Sequence, residues 1–359
     1  MPLNALNTYP RFCHAILPIL AESGSLFRVI DIGARNGFSS EFAPLRSVAE
    51  FIGFEPDEQE CKRLNEEMSA DDTSIGRIYP YAIAGTAGER VFYRTRLPHS
   101  AGLYAPRKEW FDRFPASTLD VLYELKVDTV TLDAFCAENG IGPVDVLHID
   151  VEGAEYEVLS AASATLDSGP VLAIKTEIWW APEMRGQKSF AELDTMIRGH
   201  GFQFYDLELH RYARSGLPFG RLTFVDEDNG RIQGFRPEHT MKYGQACTGD
   251  ALYFRDPVGE LRAGSLSPRW TRDSLLKLCG LFDIFDYADS AIEVLDHFAD
   301  SLLAGLDLAP LYDALVPVSG NQIAPYGAYR DLSRSMMRTW MADRLLGHQW
   351  EPPPSKYPE

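Results

Sequence analysis

Apolar and polar positions along the chain fall into two regimes that meet near Pro257. From Leu26 to about Asp256, short β-branched runs alternate with stretches of helical period. Phe27–Ile32 predicts a first strand, too short for a helix and closing on Gly33. Phe51–Phe54 predicts a second, followed by a charged helix over Asp57–Met68 that Asp57 caps. A third strand is expected at Ile78–Ile83 and a short one at Arg90–Thr95. Val127–Val130 reads as extended, with Thr131 capping a helix through Asn139 and Gly140 stopping it. Val144–Val151 is the most buried-looking strand. Its helix is expected from Ala154 to Leu166, with Ala154, Val158, Leu159 and Ala162 on one face. Val171–Ile178 follows, and Ser189 with Glu192 forms a capping box for a helix to about Gly199. Phe202–Leu209 and Ala251–Phe254 close the series. Strands alternating with helices predict an α/β fold, a mainly parallel Rossmann-like sheet with helices on both faces. Such sheets bind ligands at the carboxyl ends of their strands, where strand order reverses.

Beyond Pro257 the pattern changes. Residues 257–270 read as a linker, rich in Gly, Ser and Pro at Gly264–Pro268. Helical period without strands then runs through Thr271–Phe285, Ala288–Leu306 and Tyr329–Leu346, and Pro352–Pro354 opens a frayed tail. The expected organisation is a catalytic unit over 1–256 with an N-terminal helix, and an all-helical C-terminal extension over 271–359. The aromatics Trp270, Phe282, Phe285, Tyr287, Phe298 and Trp340 are expected to form that extension's own core.

Length and composition agree with this division. At 359 residues the chain exceeds a typical single domain, so two units are expected. Its 45% hydrophobic and 12% aromatic residues can bury a sizeable core, which argues against disorder. The 34 Lys and Arg against 52 Asp and Glu leave a net charge of −18. That balance argues against nucleic acid or an anionic membrane as a partner, although it leaves room for one basic pocket. The five cysteines, at 13, 61, 136, 247 and 279, form no C-x-x-C pair and no even set. Reduced thiols in a cytoplasmic protein are the plainer reading than a disulfide framework or a zinc site. The apolar run Phe12–Leu20 lacks a basic region before it, so no signal peptide is expected, and no stretch approaches the roughly 20 apolar residues of a membrane span.

Three strand ends carry chemistry. In Val29-Ile30-Asp31-Ile32-Gly33-Ala34-Arg35-Asn36-Gly37, the glycines permit close backbone approach, and the loop amides are expected to face the space above the strand. This D-x-G-x-x-x-G spacing differs from the G-x-G-x-x-G of dinucleotide sites, and an acid in the turn suits a cationic amine better than a pyrophosphate. A plain tight turn is the alternative. Phe54-Glu55-Pro56-Asp57 sets Glu55 at the end of the second strand, where a carboxylate can accept from both ribose hydroxyls. A capping acid is the alternative, but Asp57 already fills that role. The third stretch delivers Asp150 and Glu152 at the end of the strand Val144–Val151. Two acids there are costly unless solvated, paired or used. Glu152 and Glu155 also suit a helix N-terminus through its dipole.

Together these stretches resemble the FkbM family of S-adenosylmethionine-dependent methyltransferases. The resemblance spans Leu26 to Asp256 and rests on I-D-I-G-A-R-N-G, F-I-G-F-E-P, V-D-T-V-T-L-D-A-F at Val127–Phe135, and D-V-L-H-I-D-V-E-G-A-E. It implies a class I methyltransferase sheet, S-adenosylmethionine as cofactor, and transfer to a hydroxyl of a sugar, glycan or glycosylated secondary metabolite. It further implies that Asp31, Gly33, Ala34, Asn36 and Gly37 line the methionine end of the cofactor. Glu55 and Pro56 would hold the ribose, and Tyr81 and Ala82, with Ile83, would lie along the adenine. Ser100 to Leu103 would close over the site, with Asp150 under the transferring methyl. Arg35 stands where the family usually has Asn, and His148 where Lys is usual.

A sulfonium methyl is already activated, so aligning the acceptor oxygen is the main requirement, with a general base to take its proton. Asp150, His148, His99 and Glu177 are the candidates, with His210 beside them. His148 shares a strand face with Asp150, one step deeper, and a satisfied core histidine explains it equally well. Asp150 with Glu177 could also hold Mg²⁺ to orient a diol, a minor alternative to the metal-free site that is expected. Trp110, Phe111, Phe114, Trp179, Trp180 and Pro182 fit a sugar-stacking platform, ordinary core packing or a homodimer contact. Two other functions compete. A non-catalytic binding or scaffold protein is opposed by the intact Asp31, Gly33, Gly37, Glu55 and Asp150 set. A nicotinamide-dependent oxidoreductase is opposed by the lack of G-x-G-x-x-G.

Overall fold

A computed structural model describes residues 7, 9–46, 49–69, 75–114, 119–169, 171–181, 183–216, 222–226, 232–237, 244–316 and 325–345. Its strands are β1 (Phe27–Ile32), β2 (Ala49–Phe54), β3 (Ile75–Tyr79), β4 (Ala82–Ile83), β5 (Gly88–Thr95), β6 (Val121–Val130), β7 (Val146–Ile149), β8 (Ala173–Trp179), β9 (Phe202–Tyr212), β10 (Leu222–Asp226), β11 (Ile232–Pro237) and β12 (Gln245–Arg255). Seven of them form one sheet in the order β3-β2-β1-β7-β8-β12-β9. β12 runs antiparallel to both its neighbours, and the other described pairings are parallel. This is the expected class I methyltransferase sheet, with strand order reversing between β1 and β7.

The expected third strand is divided. β3 ends at Tyr79, and Ala82–Ile83 joins a separate β4-β6-β5 sheet. Pro80 lies at the division and has no N–H to extend a ladder. β10 and β11 form an antiparallel hairpin.

The helices are α1 (Arg11–Ser23), α2 (Glu58–Ser69), α3 (Lys108–Phe111), α4 (Leu132–Glu138), α5 (Glu155–Ser160), α6 (Ser163–Ser168), α7 (Phe190–Gly199), α8 (Pro257–Arg262), α9 (Arg272–Ile284), α10 (Ala288–Phe298), α11 (Ala309–Leu315) and α12 (Tyr326–Leu345). The expected helix over Ala154–Leu166 is two short ones. Asp133 of α4 accepts the Ala164 and Thr165 amides at 2.8 Å, which starts α6 afresh instead of continuing α5. Thr131 caps α4, and the Ser189–Glu192 capping box opens α7.

Alternate residues of each central strand pack on opposite faces. Ile30, Ile52, Leu147 and Ile174 meet Leu132, Val158 and Leu193 of the α4, α5 and α7 layer. Val29, Phe51, Val146 and Phe254 meet Phe12 and Ile16 of α1 and Leu275 to Phe285 around α9. The C-terminal helices therefore cover one face of the sheet. This corrects the expected separate core, because Trp270, Phe282, Phe285 and Phe298 belong to the same apolar cluster as β1 and β2. The 257–270 stretch is likewise no free tether. Its first half is α8, and Trp270 Nε1 donates to Glu260 at 2.8 Å. Lys277 of α9 reaches under the sheet, donating to Asp145 at 2.9 Å and to the Leu26 carbonyl at 2.6 Å. The Trp340 side chain and Pro352–Pro354 lie outside the described residues. No helix among those described is long and apolar enough to cross a membrane.

Candidate active site

A cleft opens at the carboxyl ends of β1, β2 and β7. Gly33, Glu55, Pro56, Tyr81, Ala82 and Asp150, all named as cofactor residues from the sequence, line it together with Arg35 and His99. Gly33 is required by geometry. Its φ is +97°, and a Cβ there would sit 1.9 Å from the Asp150 carbonyl oxygen. The loop amides do not face the cleft as expected: those of Gly33 and Ala34 both donate to the Phe54 carbonyl, at 3.1 and 2.9 Å. These bonds lock the β1 loop onto the end of β2.

Glu55 is buried at the cleft wall, only 3% exposed, and accepts the Asp57 amide at 2.7 Å. Burial pushes its pKa up to about 7, against the pull of that amide and of Arg35, whose Nη1 lies 3.6 Å away. The segment from Pro98 to Leu103 forms the roof of the cleft. Gly102 pairs with Tyr93 of β5, and a Cβ on Gly102 would approach Glu152 Cβ at 3.1 Å. Ser100 does not line the cleft but hydrogen-bonds to Glu152. Further on, Arg107 and Arg185 tie this roof to the loop after β8 through backbone bonds of 2.8 Å each.

Several expected cofactor residues lie elsewhere. Asp31 is 2% exposed and sits behind the cleft, where one oxygen meets His148 Nδ1 at 2.8 Å and the other accepts the Ser39 amide at 2.9 Å. The β1–β7 register places Asp31 directly opposite His148. Ala34 packs with Cys61, Leu64 and Ile78, while Asn36 and Gly37 border a separate hollow beside Phe38 and Met68. Their backbones shape the turn, with Asn36 at φ +70°, so they act through the loop's course.

On the β7–β8 side the site is strongly acidic. Asp150, Glu152 and Glu177 bring carboxylate oxygens within 4.8 Å of one another. Burial, then Asp150 and Glu155, hold Glu152 well above the usual carboxylate range, and Glu177 is raised likewise by burial and Glu152. Asp150 itself opens onto solvent at the cleft, yet enclosure and Asp250 raise its pKa as well. Glu152 has φ +57°, and Glu155 steadies that loop by accepting the Val151 and Gly153 amides at 3.2 and 3.0 Å. The arrangement can share protons or hold an oxygen-seeking divalent cation. His148 is subject to opposing effects. Burial lowers its pKa, but the Asp31 carboxylate outweighs this and leaves it raised.

The pattern of apolar runs gave no sign of Glu41 or Asp250 at this site, and little of Lys175. Lys175 lies 3.0 Å from Glu41 and 3.9 Å from Asp250, and is the charged residue inside the otherwise apolar start of β8, the one signal that could have found it. The aromatic group divides. Trp110, Phe114 and Tyr212 lie together, with Arg214 stacked 4.4 Å from the Phe114 centroid, whereas Trp180 turns to Phe190 at 5.5 Å. Trp179 is buried, and Pro182 lies outside the described residues.

Residues 31–204, just under half of the chain, match the methyltransferase FkbM domain. The 2-O-methyltransferase NoeI of Sinorhizobium fredii is 30% identical over 149 residues, 38% of this chain and 58% of NoeI. The match thus spans a little over half the length of that relative. Among solved structures, an FkbM methyltransferase from Methylobacillus flagellatus is 13% identical over 64% of this chain and 43% of its own, with a TM-score of 0.35. A magnesium protoporphyrin IX methyltransferase from Synechocystis, with bound S-adenosylmethionine, is 8% identical over 69% and 80%, with a TM-score of 0.31.

Proposed function

We propose that the chain transfers a methyl group from S-adenosylmethionine to a hydroxyl oxygen of a sugar, a glycan or a glycosylated metabolite. The observation that carries this reading is Glu55, buried in the cleft wall at the end of β2 with its carboxylate positioned to accept ribose hydroxyls. The apolar wall of Tyr81, Ala82, Phe92 and Leu103 suits a purine, so the residues present fit the cofactor. When bound, the cofactor supplies an electrophilic methyl carbon on a sulfonium.

The chain's own task is then to place an acceptor hydroxyl and take its proton. Among the four candidate bases, His148 is the imidazole held by a carboxylate. Asp31 holds Nδ1 at 2.8 Å, which fixes the tautomer and leaves the Nε2 lone pair free to accept. Asp31 also steadies the imidazolium once it forms. The facing carboxylates of Asp150, Glu152 and Glu177 accept hydrogen bonds from a polyol. Oxygen as the acceptor atom agrees with the 2-O-methyltransferase name of NoeI. The net charge of −18 disfavours a phosphate-rich acceptor such as nucleic acid. Five buried free cysteines fit a reducing, cytoplasmic setting.

Calorimetry on the full chain with S-adenosylmethionine and S-adenosylhomocysteine tests the reading. Saturable binding is expected, and none at millimolar ligand overturns it. Glu55→Ala should weaken binding at least tenfold, whereas Asp150→Ala should mainly lower turnover of labelled methyl into carbohydrate fractions. An alkali-stable label marks an ether, and an alkali-labile one a carboxyl ester.

A further inference from the structure

Arg35 occupies a position no part of that reading uses. Its guanidinium lines the cofactor cleft, with Nη1 3.6 Å from Glu55 Oε1 and 3.4 Å from Asp57 Oδ2. The backbone beside it is fixed, because the Ala34 amide is bound to the Phe54 carbonyl and Asn36 turns in the left-handed region. Asp57 is fixed as well. Its Oδ1 caps α2 through the Gln59 and Glu60 amides, and its Oδ2 faces both Arg35 and, at 3.7 Å, Arg94 of β5. The guanidinium is therefore held at the ribose carboxylate, beside the same Oε1 that accepts the Asp57 amide.

We infer that Arg35 is a positioning residue for the cofactor, keeping Glu55 in the ionised form that accepts two ribose hydroxyls. The inference rests on the cofactor assigned above. Its chemical ground is that a carboxylate offers acceptor sites on both oxygens, whereas a protonated carboxyl turns one of them into a donor. Burial, which denies Glu55 water, acts against ionisation, as do the charges of Asp57 and Glu60, while the Asp57 amide and Arg35 favour it. Arg35 is the nearest cation among the described residues to offset them. Besides these, Cys61 of α2 faces Glu55, Arg77 of β3 lies near Cys61, and His99 of the roof lines the same cleft.

The test is the pH dependence of S-adenosylhomocysteine binding to the full chain, measured by calorimetry from pH 5.5 to 9. The wild type should lose affinity below about 7, where Glu55 takes up its proton. An opposite charge at this distance is worth about one pH unit or more, so Arg35→Met should move that loss upward by about one unit. Affinity would then be about fivefold weaker at pH 7, and within about a factor of two of wild type at pH 9. Arg35→Lys should restore most of the difference, and Arg35→Met should add nothing in a Glu55→Gln background. Repeating the series with His99→Gln and with Asp150→Asn separates the response of Glu55 from that of the other ionisable side chains lining the cleft. A loss that is equal at every pH, or a gain in affinity, overturns the inference while leaving the cofactor assignment intact. Failure of the wild type to bind overturns both.

Discussion

At the scale of single residues, Asp31 has a partner, His148, that its position did not suggest. Asp31 lies in β1 just before the first glycine, and its sequence context points to the cofactor amine; the fold sets it opposite His148 across the β1–β7 pair. A pairing between strands more than a hundred residues apart leaves no trace in local pattern, so this partnership was not legible. Glu55 was legible because a carboxylate at a strand's end needs only the strand to be found. The dyad makes a kinetic expectation. His148→Gln should lower methyl transfer by about 10²–10⁴-fold with S-adenosylhomocysteine affinity little changed. Asp31→Asn removes the partner that raises the His148 pKa, so the acid limb of the pH–rate profile should move to lower pH. A His148→Gln protein that keeps more than half its turnover would remove His148 from the chemistry.

At the scale of elements, the alternation of apolar runs located the central strands β1, β2, β7 and β8 because these are buried on both faces and read as continuous runs. It failed where tertiary bonds override local period. Asp133 splits the α5–α6 stretch, and Pro80 sends Ala82–Ile83 to a different sheet. The β1 loop is the element on which the site depends. Gly33 lies against the β7 end so closely that no side chain fits, and its φ of +97° is strained for any L-residue. Gly33→Ala should therefore push β1 and β7 apart at the cleft floor, costing about 3 kcal/mol or more of stability. Cofactor affinity should fall together with the unfolding midpoint in denaturant. A Cβ on Gly37 would meet nothing within 4 Å, although φ there is +94°. Gly37→Ala should therefore cost only the backbone strain, of about 1–2 kcal/mol.

At the scale of the whole molecule, the division near Pro257 is a change of pattern rather than of packing. Helical period after that point was legible, but which surface those helices cover was not, since an amphipathic face does not name its partner. They cover the sheet face that carries Val29, Phe51 and Phe254, and α9 is buried from Ser274 to Ile284. Lys277 is the polar link in this apolar layer. Its ammonium bridges Asp145, at the start of β7, and the Leu26 carbonyl, just before β1, so it ties α9 to the base of the two strands that build the cleft. Lys277→Met would leave Asp145 buried without its cation, and a broken buried pair costs about 3–5 kcal/mol. The sign of its pH dependence follows from Asp145, whose pKa burial already raises despite Lys277. A carboxyl with a raised pKa in the fold favours the folded state when protonated, and that contribution is lost as pH rises through the folded value. Removing Lys277 raises the value further, so the variant should lie closest to wild type in acid and lose most above neutrality. Chemical denaturation at pH 5 and pH 8 measures this difference. An equal loss at both would mean that Lys277 acts through packing of its aliphatic stem rather than through its charge.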